Sequence, residues 1–157
     1  MLKKPIRTKH YKNLLEDNQA RELYLYLKDN ILWEEGVRSK QGFTRLAHSL
    51  SFDSIHVDAL LPAIVISLEM CEIDPIRLKA IYLNYYKDGS YWTPNHNHPN
   101  TIQIILSLGA ERILEIGNKS YNLNSGDLIY FGSSTHGVPK DYKVKKGRIS
   151  VAMFVEK

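Results

Sequence analysis

One cysteine, Cys71, occurs in 157 residues, so no disulfide can form within the chain, and a reducing compartment fits. It falls at the end of an apolar helical pattern, where a buried, inert thiol is the expected role. Long apolar runs are also missing. The longest are far too short to span a bilayer, which removes membrane-embedded readings. No basic segment followed by an apolar stretch and a small-residue cleavage site opens the chain. The expected place of action is therefore the cytoplasm or nucleus, with no membrane partner. Repeats, low-complexity tracts and internal linkers are absent, so residues 1–157 read as one domain. Residues 1–10 read as a basic, mobile arm.

What is present is a globular mixture, 43% apolar and 24% charged, unlike that of a disordered chain. Lysine and arginine total 21 against 17 acidic residues, a formal net charge of +4. They gather at Lys3, Lys4, Arg7 and Lys9, and again at Lys140, Lys143, Lys145, Lys146 and Arg148. Such a balance suits a polyanion such as nucleic acid, although a solvated basic surface has the same composition.

Asp17 or Asn18 is placed to cap a helix whose apolar stripe is Ala20, Leu23, Tyr24, Leu27 and Ile31. Residues 34–54 are rich in glycine and polar side chains and read as loop with short strands. A second helix is expected over 58–71, with Leu61, Ile64, Val65 and Leu68 inward and Pro62 in the first turn. After Asp74-Pro75 the period changes to alternation. RLKAIYLNYY puts Tyr82, Asn84 and Tyr86 on one face and Ile81, Leu83 and Tyr85 on the other. Strands follow at 101–108, 112–116 (turning back through GNKS) and 127–131. The closing strand GRISVAMFVEK sets Arg148, Ser150, Ala152 and Phe154 against Ile149, Val151, Met153 and Val155. Two helices and then a run of short strands predict an α+β, mainly β chain: a β-sandwich or jelly roll with the helices on one side.

Residues 84–100 read NYYKDGSYWTPNHNHPN. In a strand, the spacing of His96 and His98 puts both imidazoles on one face. His136 follows FGSST, and neighbouring strands would bring it opposite the pair. Imidazoles suit iron, zinc, copper and nickel. Spacing alone equally describes a polar loop that holds two histidines.

The ordered set of segments resembles the AlkB-like Fe(II)- and 2-oxoglutarate-dependent dioxygenases. NYYKDGSYWTPNHNH is similar to that family's N-x-Y-x-x-G…H-x-D segment, ILSLGAERIL to its S-L-G-x-x-R strand and LNSGDLIYF to its L-x-x-G-D-L strand. THGVPK is similar to the segment around the distal histidine, and GRISVAMF to the closing R-x-S/N-x-T-x-R strand. ARELYLYLKDNILWEE resembles the helix and tryptophan that open many members. The resemblance covers nearly the whole chain after residue 10.

It implies a double-stranded β-helix with N-terminal helices packed on one side, holding Fe(II) and 2-oxoglutarate. O₂ would be the co-reactant, and a C–H bond would be hydroxylated, with oxidative demethylation of nucleic-acid bases as the family's theme. His96 and His136 would be metal ligands. Arg148 would bind the distal carboxylate of 2-oxoglutarate, and Asn84, Tyr86 and Ser150 would hydrogen-bond the cosubstrate. A lid over residues 36–55 would read the nucleotide, and Tyr91 and Trp92 would either stack on a flipped base or pack at the barrel mouth. Short members of this kind resemble those carried by viruses, which would act in the host cytoplasm.

Two positions depart from the family. Its aspartate is missing, and either His98 or Asn100 takes its place. An all-imidazole site is one unit more positive and differs in redox behaviour and metal preference. The last arginine of the closing motif is Phe154. Both departures leave room for a three-histidine, cupin-like metalloenzyme that does not use 2-oxoglutarate, and for an inactive barrel that serves as a binding module.

Overall fold

The computed structural model describes residues 6–40 and 42–157, without the side chains of 36–39. Two helices precede most of the strands. Helix α1 spans Asp17–Asn30 and α2 spans Val57–Met70. The strands are β1 Lys9–Tyr11, β2 Glu34–Ser39, β3 Gly42–Leu50, β4 Leu78–Tyr86, β5 Thr93–His96, β6 Thr101–Gly109, β7 Arg112–Ile116, β8 Lys119–Leu123, β9 Leu128–Phe131, β10 His136–Val138 and β11 Arg148–Glu156. They pair as a seven-stranded sheet, β1-β9-β6-β11-β4-β3-β2, and a four-stranded sheet, β5-β10-β7-β8, with every pairing antiparallel. This is the mainly β, jelly-roll architecture that the pattern predicts. Among the described residues no helix is long and apolar enough to cross a membrane.

Alternation decides how the large sheet is used. Ile149, Val151, Met153 and Val155 of β11 join Ile81, Leu83 and Tyr85 of β4 on one face, where the helices pack through Ala20, Leu23, Leu27, Leu60, Ile64 and Leu68. Truncating one such aliphatic side chain to alanine costs about 2–5 kcal/mol. The opposite face carries Tyr86, Asn84 and Tyr82 on β4, beside Arg148, Ser150 and Ala152 on β11. That face is free to line a cavity because the helices already supply the core on the other side.

Several local expectations change. Helix α1 begins one residue early, with Glu16 as its cap and Gln19 Oε1 accepting from the Glu16 N–H at 3.2 Å, so Asp17 and Asn18 lie inside the helix. In α2 the inward residues are Leu60, Ala63, Ile64, Ser67 and Leu68, while the expected Leu61 and Val65 face outward at 47% and 41% exposure. The helix is apolar nearly all round, so its sequence does not single out an inward stripe. Pro62 lies in its second turn rather than its first. The region read as loop with short strands holds the β2–β3 hairpin, whose strands are longer than expected and extend the large sheet at its edge. The arm is partly ordered: Lys9, His10 and Tyr11 pair with β9, and buried Asp127 accepts from His10 Nε2 and the Asn13 N–H, both at 3.0 Å. Residues 1–5 of that arm lie outside the described residues. Cys71 is half-buried just after α2, and burial pushes its thiol up to about 11, which suits an inert role.

Candidate metal centre and anion pocket

The small sheet assembles the histidines. Strands β5 and β10 pair with His96 directly opposite His136, and their ring centroids are 4.4 Å apart. His98 lies two residues past His96, beyond the end of β5, yet its ring turns back to 4.8 Å from His96 and 5.6 Å from His136. One nitrogen from each ring falls in a group no wider than 4.8 Å. Asn100, the alternative third ligand, is exposed in a left-handed turn at φ 59° and does not line the cavity.

The second partners of two rings are fixed. His96 Nδ1 is 2.8 Å from the Pro94 carbonyl, and His136 Nδ1 is 3.0 Å from the Ser134 carbonyl. A carbonyl can only accept, so each Nδ1 donates its N–H, and in the neutral ring that leaves the lone pair on Nε2. The Gln103 amide, 3.3 Å from His136 Nε2, donates to that lone pair. Burial is the main cause that pushes His136 down to about 4; His96, His98 and Arg45 add to it, and the Ser134 carbonyl opposes it. His98 is lowered as well, by burial first and then by His96 and Arg45. Neutral imidazoles with free lone pairs are what a divalent metal requires.

This donor set fits a metal. Ligands about 2.1 Å from one ion sit roughly 3 Å apart at right angles, and modest side-chain rotation closes the present spread to that. No carboxylate of the described residues lines the cavity, so three imidazoles would leave the ion's charge uncancelled.

The same cavity, about 410 Å³ in volume, reaches a cationic wall. Register stacks Tyr86 against Arg148 and Asn84 against Ser150, with Gly109 and Ser107 of β6 completing the two rows. Arg148 is 1% exposed, and its Nε donates to Ser107 Oγ at 2.9 Å. Its guanidinium lies 5.2 Å from the centre of the Tyr86 ring, and the Tyr86 hydroxyl is 2.6 Å from Thr93 Oγ1. No carboxylate of the described residues forms an ion pair with Arg148. Burial lowers it to about 10, with nearby Arg112 adding to the effect, so it remains charged at neutral pH. A buried, unpaired guanidinium is costly unless an anion reaches it.

The other expected residues fall in different places. Tyr91 packs against Phe43 with ring centroids 5.4 Å apart, and Trp92 lies under the Lys140 ammonium at 5.1 Å. Neither lines the cavity. Phe154 does line it, edge-on to His98 at 5.0 Å and to Tyr82 at 5.1 Å. Arg112 is structural: it donates to the carbonyls of Asp88, Tyr91 and Pro139 and clamps the loops flanking the site. Arg45, Thr93 and Gln103 also line the cavity. For Gln103 the available signal was its inward place in the alternation of TIQIILSL, two residues from Ile105.

No family model matches the sequence, and no curated protein matches it. Solved structures do match the fold. A Pseudomonas putida prolyl-4-hydroxylase superposes with a TM-score of 0.65 at 14% identity, covering 96% of this chain and 92% of that one. The chain has the double-stranded β-helix fold. The non-heme alpha-ketoglutarate-dependent epimerase SnoN from nogalamycin biosynthesis gives 0.66 at 14% identity, covering 95% and 78%. A predicted oxalate decarboxylase from Thermotoga maritima gives 0.50 at 12%, covering 72% and 81%. At these identities the likeness establishes the fold, and the chemistry has to be argued from the site.

Proposed function

We propose that this protein is a non-heme iron oxygenase that uses 2-oxoglutarate, as its resemblance to the AlkB-like dioxygenases implies. The observation that carries the reading is one cavity with three convergent imidazoles and a buried guanidinium that lacks an anionic partner. His96, His98 and His136 would hold Fe(II). Arg148, with Nε fixed by Ser107, would present its other N–H groups to the distal carboxylate. Ser150 and Asn84 stand in the next row to hydrogen-bond the same molecule. Tyr86 can donate to it when Thr93 is the donor in their shared hydrogen bond. Bound iron and 2-oxoglutarate supply the O₂ activation that turns a substrate C–H into C–OH, with succinate and CO₂ as co-products. The likeness to SnoN and to the prolyl hydroxylase agrees with this chemistry.

An anaerobic visible spectrum with Fe(II) tests the reading. Addition of 2-oxoglutarate should raise a charge-transfer band in the wild type and not in Arg148→Ala. A wild type with no band and no 2-oxoglutarate-dependent O₂ uptake defeats it. For the substrate we propose N-methylated nucleic-acid bases, from the AlkB resemblance and the net charge of +4. Mass loss from methylated oligonucleotides is the expected result, and intact methyl groups under full turnover conditions exclude those substrates. A second reading follows from the missing carboxylate: a cupin-like three-histidine enzyme. O₂ consumption that does not need 2-oxoglutarate would select it.

A further inference from the structure

The three imidazoles are not held alike. His96 and His136 each have Nδ1 tied to a backbone carbonyl. The ring nitrogens of His98 have no hydrogen-bond partner among the described residues. Only its backbone is tied, by Thr101 Oγ1, which donates to the His98 carbonyl at 2.7 Å. Because His98 lies past the end of β5, the strand pairing that sets the other two rings does not set this one.

Outside the triad, the His98 ring meets Phe154, with centroids 5.0 Å apart and planes at 84°. A perpendicular contact of this kind is a favoured geometry for aromatic pairs. Register places Phe154. It lies opposite Gln103 on β6, and Gln103 lies opposite Phe131 on β9. This cross-strand row forms one wall of the triad. Gln103 and Phe131 meet His136, at 3.3 Å and with centroids 4.9 Å apart, and Phe154 meets His98. Tyr82 of β4 packs on Phe154 from the side, with the two planes 86° apart.

The two positions that depart from the dioxygenase pattern, His98 and Phe154, are therefore in contact. Chemistry makes them one change. An arginine at position 154 facing an aspartate at 98 has a carboxylate to pair with. Facing a histidine it has none, since no carboxylate of the described residues lines the cavity, and its charge would repel a dication held by neutral imidazoles. A phenyl ring removes that repulsion and gives the imidazole a surface to rest on.

We propose that Phe154 is the positioning residue of His98, its ring taking the place of the carbonyl that orients each of the other imidazoles, and that residues 98 and 154 are coupled as a neutral pair where the family pattern has two charged residues. This rests on the metal reading of the triad and not on 2-oxoglutarate.

Anaerobic titration of the metal-free protein with Fe(II), and with Co(II) for its visible ligand-field bands, tests it. Urea midpoints without metal report the fold separately. Phe154→Ala should weaken Fe(II) about tenfold and alter the Co(II) bands, while Phe154→Tyr should keep both near wild type. In a His98→Ala background, Phe154→Ala should cause little further loss, because the ring it positions is gone. Phe154→Arg should weaken metal binding beside His98, and do so less or not at all beside His98→Asp. Wild-type affinity and bands in Phe154→Ala overturn the proposal. An equal loss with and without the His98 ring also overturns it, because the effect is then on packing of the barrel. If Phe154→Ala does not fold, the second cycle decides alone: equal losses from Phe154→Arg beside His98 and beside His98→Asp overturn it. A wild type that takes up neither ion removes the metal reading and the proposal together, whereas wild-type uptake with any of the failures above removes the proposal alone.

Discussion

Arg148 is a buried charge that costs stability when no anion reaches it. Its charge is buried, held by one hydrogen bond to Ser107 and the face of Tyr86, and no carboxylate of the described residues pairs with it. Replacing such a group with an apolar one of similar length commonly stabilises a protein by about 1–4 kcal/mol. Arg148→Met should therefore unfold at higher urea than the wild type when no ligand is present, and should no longer be stabilised by 2-oxoglutarate. Denaturation of both proteins with and without the ligand checks this; a less stable Arg148→Met means that Ser107 and Tyr86 already offset the desolvation. His136 acts in the opposite sense. In the metal-free fold it takes up a proton only near about 4, whereas in the unfolded chain it does so near about 6.5. Between those values the unfolded state binds more protons. The stability from a neutral His136 is thus complete above about 6.5 and lost as the pH falls toward 4, on the order of 3 kcal/mol in total. Urea midpoints of chelator-treated protein at about pH 7 and about pH 5 should differ in that direction, and His136→Phe should flatten the difference.

At the scale of elements, the site depends on how closely β5 and β10 approach. A Cβ on Gly137 would lie 2.5 Å from Asn95 Oδ1 and 2.8 Å from the Thr93 carbonyl oxygen. Gly137→Ala must push β5 outward, and His96 moves with it, away from His136. Overpacking of this kind costs about 1–3 kcal/mol, and the separated pair should hold metal more weakly. Thermal unfolding and an Fe(II) titration of the variant measure the two effects; unchanged metal affinity would mean that the rings follow the shift. The same elements show what was legible beforehand. β4 and β11 alternate cleanly between an aliphatic face and a face bearing Asn84, Tyr86, Arg148 and Ser150, so their cavity side could be read directly. β3 could not, because Arg45 and Ala47 line the cavity while Thr44 is buried behind them, and so mixed a pattern does not single out one face. Arg45 was missed for that reason. The face of α2 was misread because apolar residues surround it, and only packing against the sheet selects Leu60 and Ile64 over Leu61 and Val65. The convergence of His98 depended on the turn after β5, which local spacing does not determine.

At the scale of the whole molecule, the larger core and the histidine triad belong to different sheets. The helices and the outer face of the seven-stranded sheet form the larger core, and it contains none of the three histidines. The triad joins β5, the turn after it and β10; the four-stranded sheet packs through Leu114, Ile116, Leu123 and Val138 on Tyr86, Ile105, Ile129, Phe131 and Ala152 of the large sheet, a smaller cluster. A metal that binds only the folded form stabilises it by about 2.7 kcal/mol at a hundredfold excess over its dissociation constant. That stabilisation acts first on the segments the metal joins, because local openings need not unfold the large sheet. Removing metal with a chelator should therefore speed hydrogen exchange in residues 93–98 and 136–138 while β4, β6 and β11 keep their protection. His96→Ala should reproduce the metal-free pattern without a chelator. Uniform loss of protection across both sheets would show instead that they open as one cooperative unit, and the triad would then be a structural staple for the whole barrel.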